Sequence, residues 1–247
     1  MNVLAIGNSF SQDATRYLSQ IARAQGVHLD VVNLYIGGCS LETHYRNMLG
    51  DKREYLLEVN GQQTGFFVSL KEALLSRKWD AVTLQQVSHL SFKKETYYPY
   101  IVELVDRVKA YQPKARLLLQ ETWSYEEGSD RLATIAGYDT AKAMLRDIQA
   151  TYAEVAAAEG FDGVIPSGTL FGMMLDEGIQ KLHRDGFHAT LGLGRYALGL
   201  LWFGVLTGQS VAENVFCDLD ACAGDNEMAI AKKCVEKIIC RKTYEKN

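Results

Sequence analysis

Apolar positions fall along this chain in two alternating patterns. Short runs of Val, Leu, Ile and Ala occur at 2–6, 28–35, 81–85, 115–120 and 163–165, and their length and composition predict buried strands. Between and after them come longer stretches with apolar residues three and four apart, which predict helices at 12–25, 97–111, 138–160, 191–206 and 226–239. Strand and helix in alternation imply βαβ units, so the expected fold is α/β, with about five parallel strands and crossover helices on both faces. One stretch breaks the alternation. Residues 54–59 and 62–68 read as two strands around Asn60-Gly61, a dipeptide that tolerates the positive φ a tight hairpin turn needs. It is expected as a β-hairpin excursion around 54–68, outside the alternating units.

In an open α/β sheet, loops and helix starts converge at the carboxyl ends of the strands, so chemistry is sought there. The first strand ends in Gly7-Asn8-Ser9-Phe10-Ser11, with a helix to follow. A serine in that turn sits at the sheet edge with its own N–H near a helix start, a place that favours developing negative charge. Ser9 is therefore a candidate nucleophile; an ordinary turn and cap residue is the alternative. Far along the chain, His183-Arg184-Asp185-Gly186-Phe187-His188 precedes the most apolar helix. An Asp three residues before a His on a short turn can orient the imidazole and stabilise its protonated form. Helix capping explains such a pair equally simply.

Gly7-Asn8-Ser9-Phe10, the Gly37-Gly38 pair after the second strand and Asp185-Gly-Phe-His188 together resemble the blocks of the SGNH (GDSL-type) hydrolases, near the sialate O-acetylesterase-like branch. The resemblance runs from Leu4 to about Gly208. It implies a flavodoxin-like three-layer α/β/α sandwich and a serine esterase acting on O-acyl, chiefly O-acetyl, esters of carbohydrates, without a cofactor. Position by position it implies Ser9 as nucleophile, His188 as base and then acid, Asp185 as orienter, and the N–H groups of Ser9 and Gly38 as oxyanion donors. Asn8 stands where the familiar pattern has Asp. The family's third block supplies an Asn to the oxyanion hole, but here the third strand ends in Gln85-Gln86-Val87-Ser88; Gln85 is favoured as the replacement, Gln86 is the alternate, and Ser88 is a further contributor. Trp123 and Tyr125, following the fourth strand, are flat rings suited to a sugar face, although such rings also bury readily.

Composition narrows the alternatives. The 247 residues are 47% hydrophobic and 23% charged, enough to bury one sizeable core, so a single domain is expected over 1–240 with a polar tail at 241–247. A net charge of -4 without a Lys/Arg block argues against a nucleic-acid partner. The apolar stretch at 196–212 is interrupted by Gly, Thr, Gln and Ser and is expected as buried helix rather than a membrane span. A strand directly after Met1 and five cysteines without a Cys-x-x-Cys pair suggest a cytoplasmic, reducing compartment. Three rival sites remain: Cys39 as nucleophile after Gly37-Gly38, a flavodoxin-like phosphate or flavin cradle at Ser9 and Ser11, and a metal held by His183, Asp185 and His188. No metal is expected at Cys217, Cys222, Cys234 and Cys240, because the last two fall on different faces of a predicted helix.

Overall fold

The central strand β1 (Asn2–Gly7) is buried along almost its whole length, as an unbroken apolar run in a covered parallel sheet must be. Its side chains alternate between two cores, Val3 and Ala5 on one face and Leu4 and Ile6 on the other. The computed structural model describes residues 1–244 and builds a sheet of seven strands around β1, in the order β4-β3-β2-β1-β5-β6-β7. Here β2 is Asp30–Tyr35, β3 Tyr55–Val59, β4 Gln62–Val68, β5 Ala81–Leu84, β6 Arg116–Gln120 and β7 Gly163–Ile165. The five strands the pattern predicts are all parallel, with β2 and β5 flanking β1.

One helical layer holds α1 (Ser9–Thr15), α2 (Leu18–Ala24), α7 (Ser167–Asp176), α8 (Leu193–Thr207) and α9 (Asp225–Tyr244). The other holds α3 (Leu41–Leu49), α4 (Leu70–Leu75), α5 (Tyr100–Tyr111) and α6 (Ala141–Ala158). This is the expected three-layer sandwich. The apolar stretch beginning at 196 lies in α8, a helix buried on nearly every side. Gly199 lets α2 approach closely, since a Cβ there would stand 2.7 Å from Ile21 Cδ1. Among the described residues no helix is long and apolar enough to cross a membrane.

The structure corrects three expectations. The hairpin excursion around 54–68 is present and raises the expected five strands to seven: β3 pairs antiparallel with β2 and extends the sheet by two strands. Its turn is the predicted one, with Asn60 at φ 51° and Gly61 at φ 79°, and the Asn60 carboxamide oxygen accepts from Val31 N at 2.9 Å. The segment at 12–25 is two helices, parted at Arg16 and Tyr17. The Tyr17 hydroxyl there donates to Leu191 O at 2.7 Å and accepts from Asp220 N at 2.6 Å. Helix α9 continues to Tyr244, through most of the expected tail, and 245–247 lie outside the described residues.

Candidate active site

The chain leaves β1 for β2 on one side and returns to β5 on the other, so the sheet changes direction at β1. In this topology the carboxyl end of the strand opens a crevice, and Ser9 stands in it. Asn8 caps α1: its side-chain oxygen accepts from Phe10 N at 3.0 Å, while its nitrogen donates to Cys39 O at 3.0 Å. That second bond draws the Gly37-Gly38-Cys39 turn against the serine. Gly38 has φ 63°, a conformation that favours glycine, and is exposed, one residue before the Cys39 carbonyl that Asn8 holds.

Opposite lies the turn carrying Asp185 and His188. It is closed by Arg184 N donating to His188 O at 3.0 Å and by a bridge between His183 and Ala189. His188 Nε2 is 2.9 Å from Ser9 Oγ, and His188 Nδ1 is 2.7 Å from Asp185 Oδ2. The other Asp185 oxygen accepts from His188 N at 2.9 Å, so the carboxylate grips both ends of the same residue. Burial pulls the Asp185 carboxyl upward, but bonds from the His188 ring, from His188 N and from Phe187 N outweigh it and hold it below the usual carboxylate range. An ionised Asp185 only accepts, which places the imidazole proton on Nδ1 and leaves Nε2 to accept from the serine hydroxyl. At 45% exposure the Asp185 side chain is wet, so these bonds fix orientation more than they add Coulombic energy.

The sequence model of a family described as a domain of unknown function, DUF4886, matches residues 2–235. The chain belongs to the DUF4886 family. A DUF4886 family protein from Bacteroides uniformis is 30% identical, superposes with a TM-score of 0.90, and is matched over 97% of this chain and 95% of that one. A protein from Slackia heliotrinireducens, named "putative SGNH hydrolase", shares the fold at a TM-score of 0.60 and 22% identity, over 82% of this chain and 97% of that one. The lipase/acylhydrolase of Enterococcus faecalis does so at 0.55 and 15%, over 91% and 100%. A search of curated proteins returned no match. The DUF4886 protein thus has the SGNH-hydrolase fold, and its distant structural relatives include acylhydrolases and lipases.

Five predicted residues of the DUF4886 protein stand elsewhere than expected. Gln85 is 1% exposed, lies beneath Gly7 and donates from Nε2 to Asn8 Oδ1 at 2.7 Å, supporting the serine turn from below. Gln86 is also turned inward: Oε1 accepts from Leu41 N and Val87 N, and Nε2 donates to Thr96 O. Each amide nitrogen is thus engaged inside the protein rather than aimed at a bound oxyanion, and the Ser88 hydroxyl is paired with Tyr125 OH at 3.0 Å. The Trp123 and Tyr125 rings, 0% and 1% exposed, are core and present no face to a substrate. Trp123 stacks on Phe10 at 3.9 Å and donates from Nε1 to Phe187 O at 2.7 Å, so it braces the histidine turn against the residue after Ser9.

The rival centres are dispersed. Burial pushes the Cys39 thiol up to about 12, which leaves it protonated. His183 turns its Nε2 to Ser124 O at 3.0 Å, away from the hydroxyl that His188 faces, so His183, Asp185 and His188 do not converge. Ser11 Oγ bonds Asn8 O and Asn33 Oδ1 inside the protein rather than lining an anion cradle. A cavity of about 400 Å³ lies behind the Asp185–His188 turn, lined by Ser124, Tyr125, Leu145, Leu182 and His183, and holds neither Ser9 nor His188.

Asp13 is the feature that sequence reasoning missed. It is 0% exposed, on α1 four residues after Ser9. Arg184 Nη1 reaches both of its oxygens at 3.0 Å, Arg195 Nε donates to Oδ1 at 2.8 Å and Ala189 N donates to Oδ2 at 3.0 Å. The available signal was an acidic residue at helical spacing from Ser9, on the face that an amphipathic reading assigns to the core.

Proposed function

We propose that this protein is a serine esterase that hydrolyses carboxylic O-acyl esters through Ser9, His188 and Asp185. The observation that carries the reading is the continuous line from Asp185 Oδ2 to Nδ1 at 2.7 Å and from Nε2 to Ser9 Oγ at 2.9 Å, assembled from opposite ends of the chain. Ser9 Oγ attacks the ester carbonyl while Nε2 takes its proton, and Asp185 stabilises the imidazolium that forms. The N–H groups of Ser9 and Gly38 receive the oxyanion. Collapse of the tetrahedral intermediate expels the alcohol, protonated by His188, and leaves the acyl group on Ser9. Water, deprotonated by the same nitrogen, then releases the acid and restores the hydroxyl.

The acidity of the alcohol's leaving oxygen, not a particular sugar, is what this machinery addresses. With Trp123 and Tyr125 in the core, neither ring offers a sugar face, and the proposed substrates are carboxylic esters as a class. p-Nitrophenyl acetate is the direct probe. Wild-type protein is expected to hydrolyse it and to be labelled by a fluorophosphonate at Ser9, with both signals lost in Ser9→Ala. Turnover by Ser9→Ala at the wild-type rate, or an adduct mapped elsewhere, rejects the proposal.

A further inference from the structure

The triad has a weak joint. Asp185 and His188 share one turn, and their contact survives any movement of that turn. Ser9 belongs to another element, α1, and the 2.9 Å contact between Ser9 Oγ and His188 Nε2 depends on how α1 and the turn are held against each other.

Two ties span that joint. One is apolar: Phe10 on Trp123, whose indole holds Phe187 O. The other is ionic and centred on Asp13. A helix brings residues four apart onto the same face, so Asp13 lies one turn below Ser9, toward the turn. Its carboxylate accepts from the backbone N–H of Ala189, the residue after His188. It also accepts from Arg184, the residue before Asp185, whose Nη1 in addition donates to Ala189 O. A third donor, Arg195 Nε, anchors the carboxylate to the start of α8. Arg195 and Arg16 then share Asp220 at 3.0 and 2.5 Å, which ends the network at the surface.

A carboxylate with no exposure is tolerated only where donors saturate it. These donors come from both sides of the catalytic turn. We infer that Asp13, with Arg184, is a positioning residue that sets the distance between the Ser9 hydroxyl and the His188 imidazole. The inference rests on the esterase reading above and adds to it a group that touches neither substrate nor the reacting atoms. An error of about 1 Å in such a contact costs on the order of a hundredfold in rate.

The test compares wild type, Asp13→Asn, Arg184→Gln and Arg16→Gln with p-nitrophenyl acetate, together with thermal melting and amide hydrogen exchange over 183–190. Asp13→Asn is expected to lower kcat by about a hundredfold with KM within twofold, and to speed exchange across the turn. Arg184→Gln is expected to lower kcat by about tenfold, and it decides the matter if Asp13→Asn does not fold. Arg16→Gln cuts the same network at its far end, at Asp220, and supplies the loss expected from general destabilisation. Wild-type kcat in Asp13→Asn or Arg184→Gln overturns the inference, as does an equal loss in Arg16→Gln. If wild-type protein shows no Ser9-dependent hydrolysis, the esterase reading fails by itself. Exchange over 183–190 then still judges the tie: faster exchange in Asp13→Asn or Arg184→Gln upholds it, and unchanged exchange removes it.

Discussion

Asn8 shows how one side chain arranges a site without entering the chemistry. Its carboxamide oxygen accepts from Phe10 N and Gln85 Nε2, and its nitrogen donates to Cys39 O. Aspartate, standard at this position in the SGNH pattern, has no donor for that carbonyl. Asn8→Asp is therefore expected to lose about 1–3 kcal/mol of stability by leaving Cys39 O unpaired and facing a charge. It should also lower turnover of p-nitrophenyl acetate about tenfold, because the Gly37-Gly38-Cys39 turn loses its tie to Asn8. Urea unfolding and steady-state rates check both, and an unchanged unfolding midpoint would show that the bond to Cys39 is dispensable. The meeting of Ser9, Asp185 and His188 was legible in the sequence because each sits in a short local motif whose turn chemistry travels with it. The directions of Gln85, Gln86, Trp123 and Tyr125 were not, because each is set by partners remote in sequence: Asn8, Leu41, Phe10 and Ser88.

At the scale of elements, the hairpin of β3 and β4 is tied to the helix that carries Ser9. Glu58 on β3 is 3% exposed and accepts from Asn33 on β2 and from Gln12 on α1, while Asn33 in turn accepts from Ser11. The Asn60-Gly61 turn was readable from local backbone preference, yet the pairing of β3 with β2 was not, since strand partnership is a long-range choice. The turn also touches α1 directly: a Cβ on Gly61 would lie 2.1 Å from Arg16 O, at a φ of 79° that already disfavours a side chain. Gly61→Ala is expected to destabilise the protein by about 2 kcal/mol or more. Chemical denaturation gives the answer, and a midpoint equal to wild type would mean that the turn and α1 separate freely. The break at Arg16 and Tyr17 escaped notice for a related reason, since neither residue is a helix breaker and the Tyr17 hydroxyl finds its partners only in the folded chain.

Across the whole molecule, the two cores lie on opposite faces of the sheet, and one of them buries a titratable group. His44 is 0% exposed, and burial pulls its imidazole down to about 3, while Nδ1 contacts the Tyr55 hydroxyl at 3.0 Å. The folded protein holds this ring neutral where the unfolded chain, near pH 6.5, would begin to protonate it. Stability present above that pH is thus lost on acidification, progressively from about 6.5 down to about 3, by an amount on the order of a few kcal/mol. His183 and His89 are shifted in the same direction, chiefly by burial, so His44→Gln should flatten the slope of unfolding free energy against pH without abolishing it. Denaturant titrations between pH 7 and about 4.5, above most carboxylate titration, measure that slope, and an identical slope in the variant would assign the effect to other groups. The separation of 179 residues between Ser9 and His188 carries a consequence for biosynthesis. A growing polypeptide exposes the Ser9 hydroxyl long before the His188 imidazole has been translated, so the proposed catalytic pair stays unarmed until synthesis has passed residue 188 and the two segments have folded together.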